Sequence, residues 1–144
     1  MIELIVIMMI IGILSAVGIP SFFNRGNFDS RGFFDQTLSI LRYAQKSAIA
    51  ERRTVCVVFT STTVTLTIAA AAGSPVCGPN LASPDGTSPF VVTAKPGVSF
   101  VVVPTAPVNF QFNSLGQASI GQTIQVTNAS GNIVIEQDTG YVHP

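Results

Sequence analysis

The side chains able to do chemistry in this 144-residue chain are few and far apart. His143 is the single imidazole, and Cys56 and Cys77 are the only thiols. A Ser/His/Asp or Cys/His constellation needs a histidine that can be brought against a nucleophile, and His143, beside Pro144, reads as a solvated tail. Two cysteines do not make a zinc site. Glu136 and Asp138 share a strand face, but two carboxylates are too few for a calcium site, and no phosphate-binding loop is present. The sequence therefore predicts no catalytic, metal or cofactor residues and no enzyme. In an anchored, exported domain Cys56 and Cys77 are expected to close a loop as a disulfide contributing roughly 3 kcal/mol, with two unpaired thiols as the alternative. That leaves Glu3, a carboxylate at the edge of an uncharged run, where an ionised group is costly unless paired.

The elements that must position these groups fall into three compositions. Residues 4–23 carry no charge, and 15 of the 20 are apolar without counting glycine, so a helix there would reach roughly 30 Å, the thickness of a bilayer core. No Lys or Arg precedes Arg25, which argues against a cleaved secretory signal and for a retained apolar membrane helix over 1–23. Residues 24–53 hold six basic and three acidic side chains, whereas the last 91 residues hold only Asp85, Lys95, Glu136 and Asp138. The whole chain is neutral and 47% hydrophobic, which excludes disorder and gives no charge argument for a polyanionic partner.

Within the apolar run, Gly12, Ser15 and Ala16 would permit close helix–helix approach, while Gly18 and Pro20 would loosen or kink the helix. Over 24–53 the residues Phe34, Leu38, Leu41, Ala44 or Gln45, and Ala48 recur at helical spacing, widened by Ile40 and Ile49, after a break near Asn24–Asn27. The stripe predicts an amphipathic helix half packed on the rest of the chain. Arg42, Lys46 and Arg53 lie within about 40° on its wheel and could touch phosphates, although a solvated helix face is the better explanation.

From Thr54 the period becomes two. Val55, Val57 and Phe59, then Val64, Leu66 and Ile68, alternate with polar residues. Further strands are expected over 90–93, 98–103 and 108–113, with Ile124 and Val126 pairing with Ile133 and Ile135 across a turn at Asn128–Asn132. The formal sequon Asn128-Ala129-Ser130 reads as part of that turn. Residues 70–89 show no period and are expected to be a long loop. The predicted fold is α+β, a long N-terminal helix packed on a small antiparallel two-sheet domain over 54–144. Four charges make a thin solubilising surface for 91 residues. Burial by neighbouring subunits, or O-linked glycans at Pro-flanked Ser74, Ser83, Thr87, Ser88 and Thr105, would compensate.

Ile2-Glu3-Leu4-Ile5-Val6, followed by Gly12-Ile13-Leu14-Ser15-Ala16-Val17-Gly18-Ile19-Pro20, resembles the N-terminal signature of type IV pilins and pseudopilins. The segment from Leu41 to Val55 is similar to the helix-to-strand segment of H-type minor pseudopilins and FimT-like minor pilins. Phe112 to Gly116 and Thr139-Gly140-Tyr141-Val142 resemble their closing strands more weakly. The resemblance implies a single-pass inner-membrane subunit that is taken by an assembly platform into a pilus (fimbrium) or a periplasmic pseudopilus. Its partners would be copies of itself or other pilins. Glu3 matches the glutamate that pairs with a neighbour's N-terminal amine, and Gly18 and Pro20 match the segment that loosens on leaving the membrane. In the family four mature residues, beginning with a methylated Phe, usually precede that glutamate; here Met1 and Ile2 do. The alternative role is a low-abundance minor subunit that initiates assembly in type II secretion or DNA uptake. DNA-binding relatives carry a basic C-terminal stretch, which Gln137 to Pro144 lacks, so nucleic acid is not an expected partner.

Overall fold

A helix that carries apolar residues at three- and four-residue spacing must find a surface to cover them, and the strands after it supply one. The computed structural model describes residues 2–21, 25–102 and 105–144, with side chains omitted for 16–21 and 25. Two helices come first, α1 (Ile2–Ser21) and α2 (Arg25–Glu51). The expected break near Asn24–Asn27 falls partly on residues outside the description; Gly26 itself lies in the first turn of α2. Eight strands follow: β1 (Val55–Phe59), β2 (Thr63–Ala69), β3 (Cys77–Asn80), β4 (Val91–Thr93), β5 (Phe110–Phe112), β6 (Gln122–Ile124), β7 (Ile133–Ile135) and β8 (Val142–His143). The chain is α+β with two antiparallel sheets, β3-β2-β1-β5 with β4 also on β2, and β6-β7-β8.

The buried stripe of α2 is Phe33, Phe34, Ile40, Leu41, Ala44 and Ala48, packed on Val55, Val57, Leu66, Phe100 and Phe112 of the β region. It differs from the sequence expectation in composition. Ile49 is exposed and Leu38 only half-buried, while Ser30, Thr37 and Ser47 are buried instead. Ser30 and Thr37 enter the core because their hydroxyls donate to the carbonyls of Gly26 (2.9 Å) and Phe33 (2.7 Å), one turn back. The helix ends as a Schellman motif. Arg52 adopts φ +52°, the Arg53 N–H donates to Ala48 O (3.2 Å), and the Arg52 N–H donates to Ile49 O (3.3 Å).

β1 and β2 pair as their alternation requires, with Val57 opposite Leu66 and every inward residue buried. Three strand expectations need correction. Residues 70–89 contain β3, an edge strand with three of its four residues exposed, so it has no alternation to reveal it. Among the described residues of 98–103 there is no strand; Phe100 makes a single bridge to Val126, which therefore lies outside the expected pairing with Ile133 and Ile135. Ile135 lies opposite Gln122, and Ile124 opposite Ile133. The turn at Asn128 is present, with φ +59°. His143 is not a free tail: it belongs to β8 opposite Val134, its ring stacks on Tyr141 at 5.0 Å, and its Nε2 lies 3.5 Å from Glu136. Glu136 is thereby engaged by His143, whereas Asp138 sits in the turn before β8.

Cys56 and Cys77 form a disulfide, with Cα atoms 6.1 Å apart. It joins β1 to the start of β3, the two strands that flank β2. Closing the 21-residue separation restricts the unfolded chain and contributes about 3 kcal/mol in the loop-entropy treatment. The variant with Cys56→Ala and Cys77→Ala should therefore unfold at clearly lower denaturant. An unchanged midpoint would show that β3 is held by its strand pairing alone.

Candidate functional site

The described side chains of α1 run from Ile2 to Ser15, and all of them face solvent. Ile2 is 79% exposed, Leu4 61% and Leu14 66%, on different sides of the helix. A helix that is apolar all round must be covered by something other than water, because each large aliphatic side chain left wet forgoes roughly 1.5–3 kcal/mol. Among the described residues no helix is long and apolar enough to cross a membrane, since α1's described side chains stop at Ser15. Gly18 and Pro20 lie in the helical backbone of α1, but their surroundings are outside the description.

Glu3 sits in the first turn of α1 and is exposed. Among the described residues it has no ion-pair partner. Gly12 is next. A Cβ built there would meet nothing within 4 Å, so no packing among the described residues requires glycine at that position. Ser15 is satisfied by its own helix, donating to Ile11 O at 2.7 Å. Thus Glu3, Gly12 and the apolar shell lie together on one helix, and among the described residues none of them is used within the chain.

The three cations of the helix face do not act as a set. Arg42 spends its Nε on the carbonyl of Val142 (3.0 Å), tying α2 to β8. Lys46 is exposed and lines a groove of about 420 Å³ with Asp35, Leu38, Ser39, Arg42 and Tyr43. Arg53 is half-buried at the helix exit and does not line that groove.

Sequence reasoning missed the clamp that holds the C-terminal turn. Gln45 Nε2 donates to Gly116 O (3.2 Å) and Thr139 O (3.0 Å), drawing two distant loops onto α2. Gly116 (φ +85°) and Gly140 (φ +64°) meet there backbone to backbone. The available signal was a pair of glycines in weakly matched segments, which does not announce a contact across 24 residues.

The Pro-flanked hydroxyls separate once their surroundings are seen. Ser83 is buried and hydrogen-bonded to Asp85 and Thr87, so it is no acceptor for a glycan, whereas Thr87, Ser88 and Thr105 are exposed. The Asp85 carboxylate accepts from the Thr87 N–H (3.2 Å), the Thr87 hydroxyl (2.9 Å) and the Ser83 hydroxyl. The Thr87 N–H, then its hydroxyl, hold Asp85 below its ordinary value of 3.8. A carboxylate with a depressed folded pKa adds stability above its unfolded pKa and loses it as pH falls through the folded one. Amide protection in the 83–87 turn, taken relative to the intrinsic exchange rate at each pH, should therefore fall as pH drops below 3.8, and Asp85→Asn should remove that pH dependence. Equal pH dependence in both proteins would show that the carboxylate does not hold the turn.

Comparison of the chain with protein-family models, curated proteins and solved structures finds no significant match.

Proposed function

We propose that the chain is a structural subunit of a type IV pilus-like filament. On this reading α1 and α2 form one long N-terminal helix. Its apolar first half resides in the inner membrane and then enters the core of the fibre, while the second half packs on the two-sheet domain. The observation that carries the reading is α1 itself. Its described side chains are apolar apart from Glu3, Gly12 and Ser15, and all are exposed, with a carboxylate in the first turn. A lipid anchor would account for the apolar shell but has no use for that glutamate. A bundle of identical helices does, since each carboxylate can meet the cationic N-terminus of a neighbour, and two buried opposite charges offset a cost that neither sustains alone. The partners are then other copies or other pilins, the membrane before assembly, and an inner-membrane assembly platform. The amino-terminal resemblance to pilins supports the same conclusion.

The test is imaging of cells that lack the chain, paired with immunolabelling of fibres from cells that have it. Fibres lost on deletion and decorated along their length by antibody support the reading. Protein recovered only as a solitary membrane-held monomer, with fibres unaffected and unlabelled, would defeat it.

A further inference from the structure

At the start of α2 an aromatic ring and a cation are left in water. Phe28 is 82% exposed, and Arg31, nearly one turn on, is exposed with no ion-pair partner among the described residues. Both line a groove of about 490 Å³, with Asn27 beside them and Asn128, Ala129 and Ser130 across from them. That turn is seated on α2. A Cβ added to Gly131 would lie 3.8 Å from the Phe34 ring, while Phe100, bridged to Val126, packs its ring 4.9 Å from Phe33. Asn27, Arg31, Asn128 and Ser130 all carry N–H or O–H donors, and the described lining includes no carboxylate. Asp29, the one acid between 24 and 34, is neutralised by Lys95 at 2.7 Å. Asp35 stands a turn beyond Arg31, further along the chain from the apolar run.

Chain length restricts what can cover this groove. The uncharged run ends at residue 23, and Phe28 follows five residues later. A chain advances at most about 3.5 Å per residue, so Phe28 lies within about 18 Å of the end of the run by any path. With that run in the membrane, the groove is within reach of the headgroup layer, where phosphate is the group its donors would meet. A guanidinium holds a phosphate by two parallel hydrogen bonds, and an exposed phenylalanine finds cover at the boundary of headgroups and acyl chains. Arg25, Arg31 and Lys95 against Asp29 leave this end with a net charge of +2, which favours anionic lipid. We propose that the groove seats the headgroup of an anionic phospholipid and lays this end of the globular part on the membrane before assembly. The inference rests on the membrane residence in the filament reading above and adds the surface that faces the lipid.

The experiment uses the full-length chain reconstituted in vesicles of phosphatidylcholine, alone or mixed with phosphatidylglycerol, with nitroxide on the headgroups of a trace lipid. The chain has no tryptophan, so Asn132→Trp supplies a single fluorescent reporter; Asn132 is exposed, close to the groove and not part of its lining. Leu115→Trp is the distant control. Leu115 is 76% exposed and precedes Gly116, which is bonded to Gln45, about 26 Å along α2 from Phe28. The reporter at 132 is expected to be quenched in the mixed vesicles and the one at 115 not. Arg31→Gln should weaken that quenching about fivefold, the effect of one cation at an anionic surface. Asn128→Asp, which places a carboxylate in the groove at a left-handed position that aspartate tolerates, should weaken it as well. Equal quenching at 132 and 115, or in both kinds of vesicle, from chain that stays with the vesicles through an alkaline wash would overturn the docking and leave membrane residence standing. Shielding at 132 that follows protein density and not lipid charge would give the groove to a second copy and overturn it too. Chain released by the wash would defeat membrane residence, and this inference with it.

Discussion

Replacing Glu3 by alanine is expected to abolish fibre formation while leaving the globular part folded. The carboxylate lies in the first turn of α1 and has no ion-pair partner among the described residues, so its removal costs the monomer nothing there. In the proposed fibre the same group is surrounded by apolar helices and opposed by a neighbour's amino terminus. Removing one member of a buried pair strands the other, at about 3–5 kcal/mol for each subunit contact, or about two to four powers of ten in association. Glu3→Gln keeps the shape and removes only the charge, so it should fail almost as completely; partial rescue by glutamine would assign part of the effect to packing. Thermal unfolding followed by circular dichroism should show both variants melting like the parent. Normal fibres from the alanine variant would refute the assembly role of Glu3.

Gly140→Ala is expected to be the most damaging single methyl in the globular part. The residue has φ +64°, where an L side chain costs about 1–2 kcal/mol. A Cβ would overlap the carbonyl oxygen of Gly116 and come within 2.9 Å of Gln45 Nε2, the donor that clamps both loops to α2. Overpacking typically adds about 1–3 kcal/mol, and the total of about 2–5 kcal/mol corresponds to a melting temperature lowered by roughly 8 °C or more. Gly97→Ala is the control, because Gly97 has φ +87° with nothing within 4 Å of the added Cβ and should show the backbone cost alone. Equal losses in the two variants would mean that the Gly116–Gly140 approach contributes nothing beyond backbone strain.

The contrast between these two residues shows how far the sequence can be read. Glu3 was legible because its neighbours in sequence are its context: one charge among apolar residues is anomalous wherever the helix goes. Gly140 was not, since what constrains it is Gly116, brought close by folding. The same division runs through the fold. Val55, Val57 and Phe59, and Val64, Leu66 and Ile68, alternate in sequence and all lie inward in β1 and β2. β3 escaped notice because an exposed edge strand containing Gly78 and Pro79 needs no apolar face. Val98 and Phe100 are buried as their pattern required, but burial does not make a strand, and Phe100 forms only one bridge.

Arg42 and His143 make the same point for polar groups. Composition placed both in solvent, the first on a helix face and the second in a tail. Tertiary structure gives Arg42 a carbonyl 100 residues away and sets His143 in a strand against Tyr141 and Glu136.

By itself, then, the sequence determined the apolar helix, its solitary carboxylate, the amphipathic stripe and the first two strands. Each of these follows from local periodicity, or from a charge out of keeping with its immediate neighbours. Only tertiary structure decided that the cysteines are bonded, which loops Gln45 clamps, which glycines cannot be replaced, and which turn shares a groove with Phe28 and Arg31. Those depend on distances between residues far apart in the chain, and such distances are set by how the sheets and helix pack as a whole.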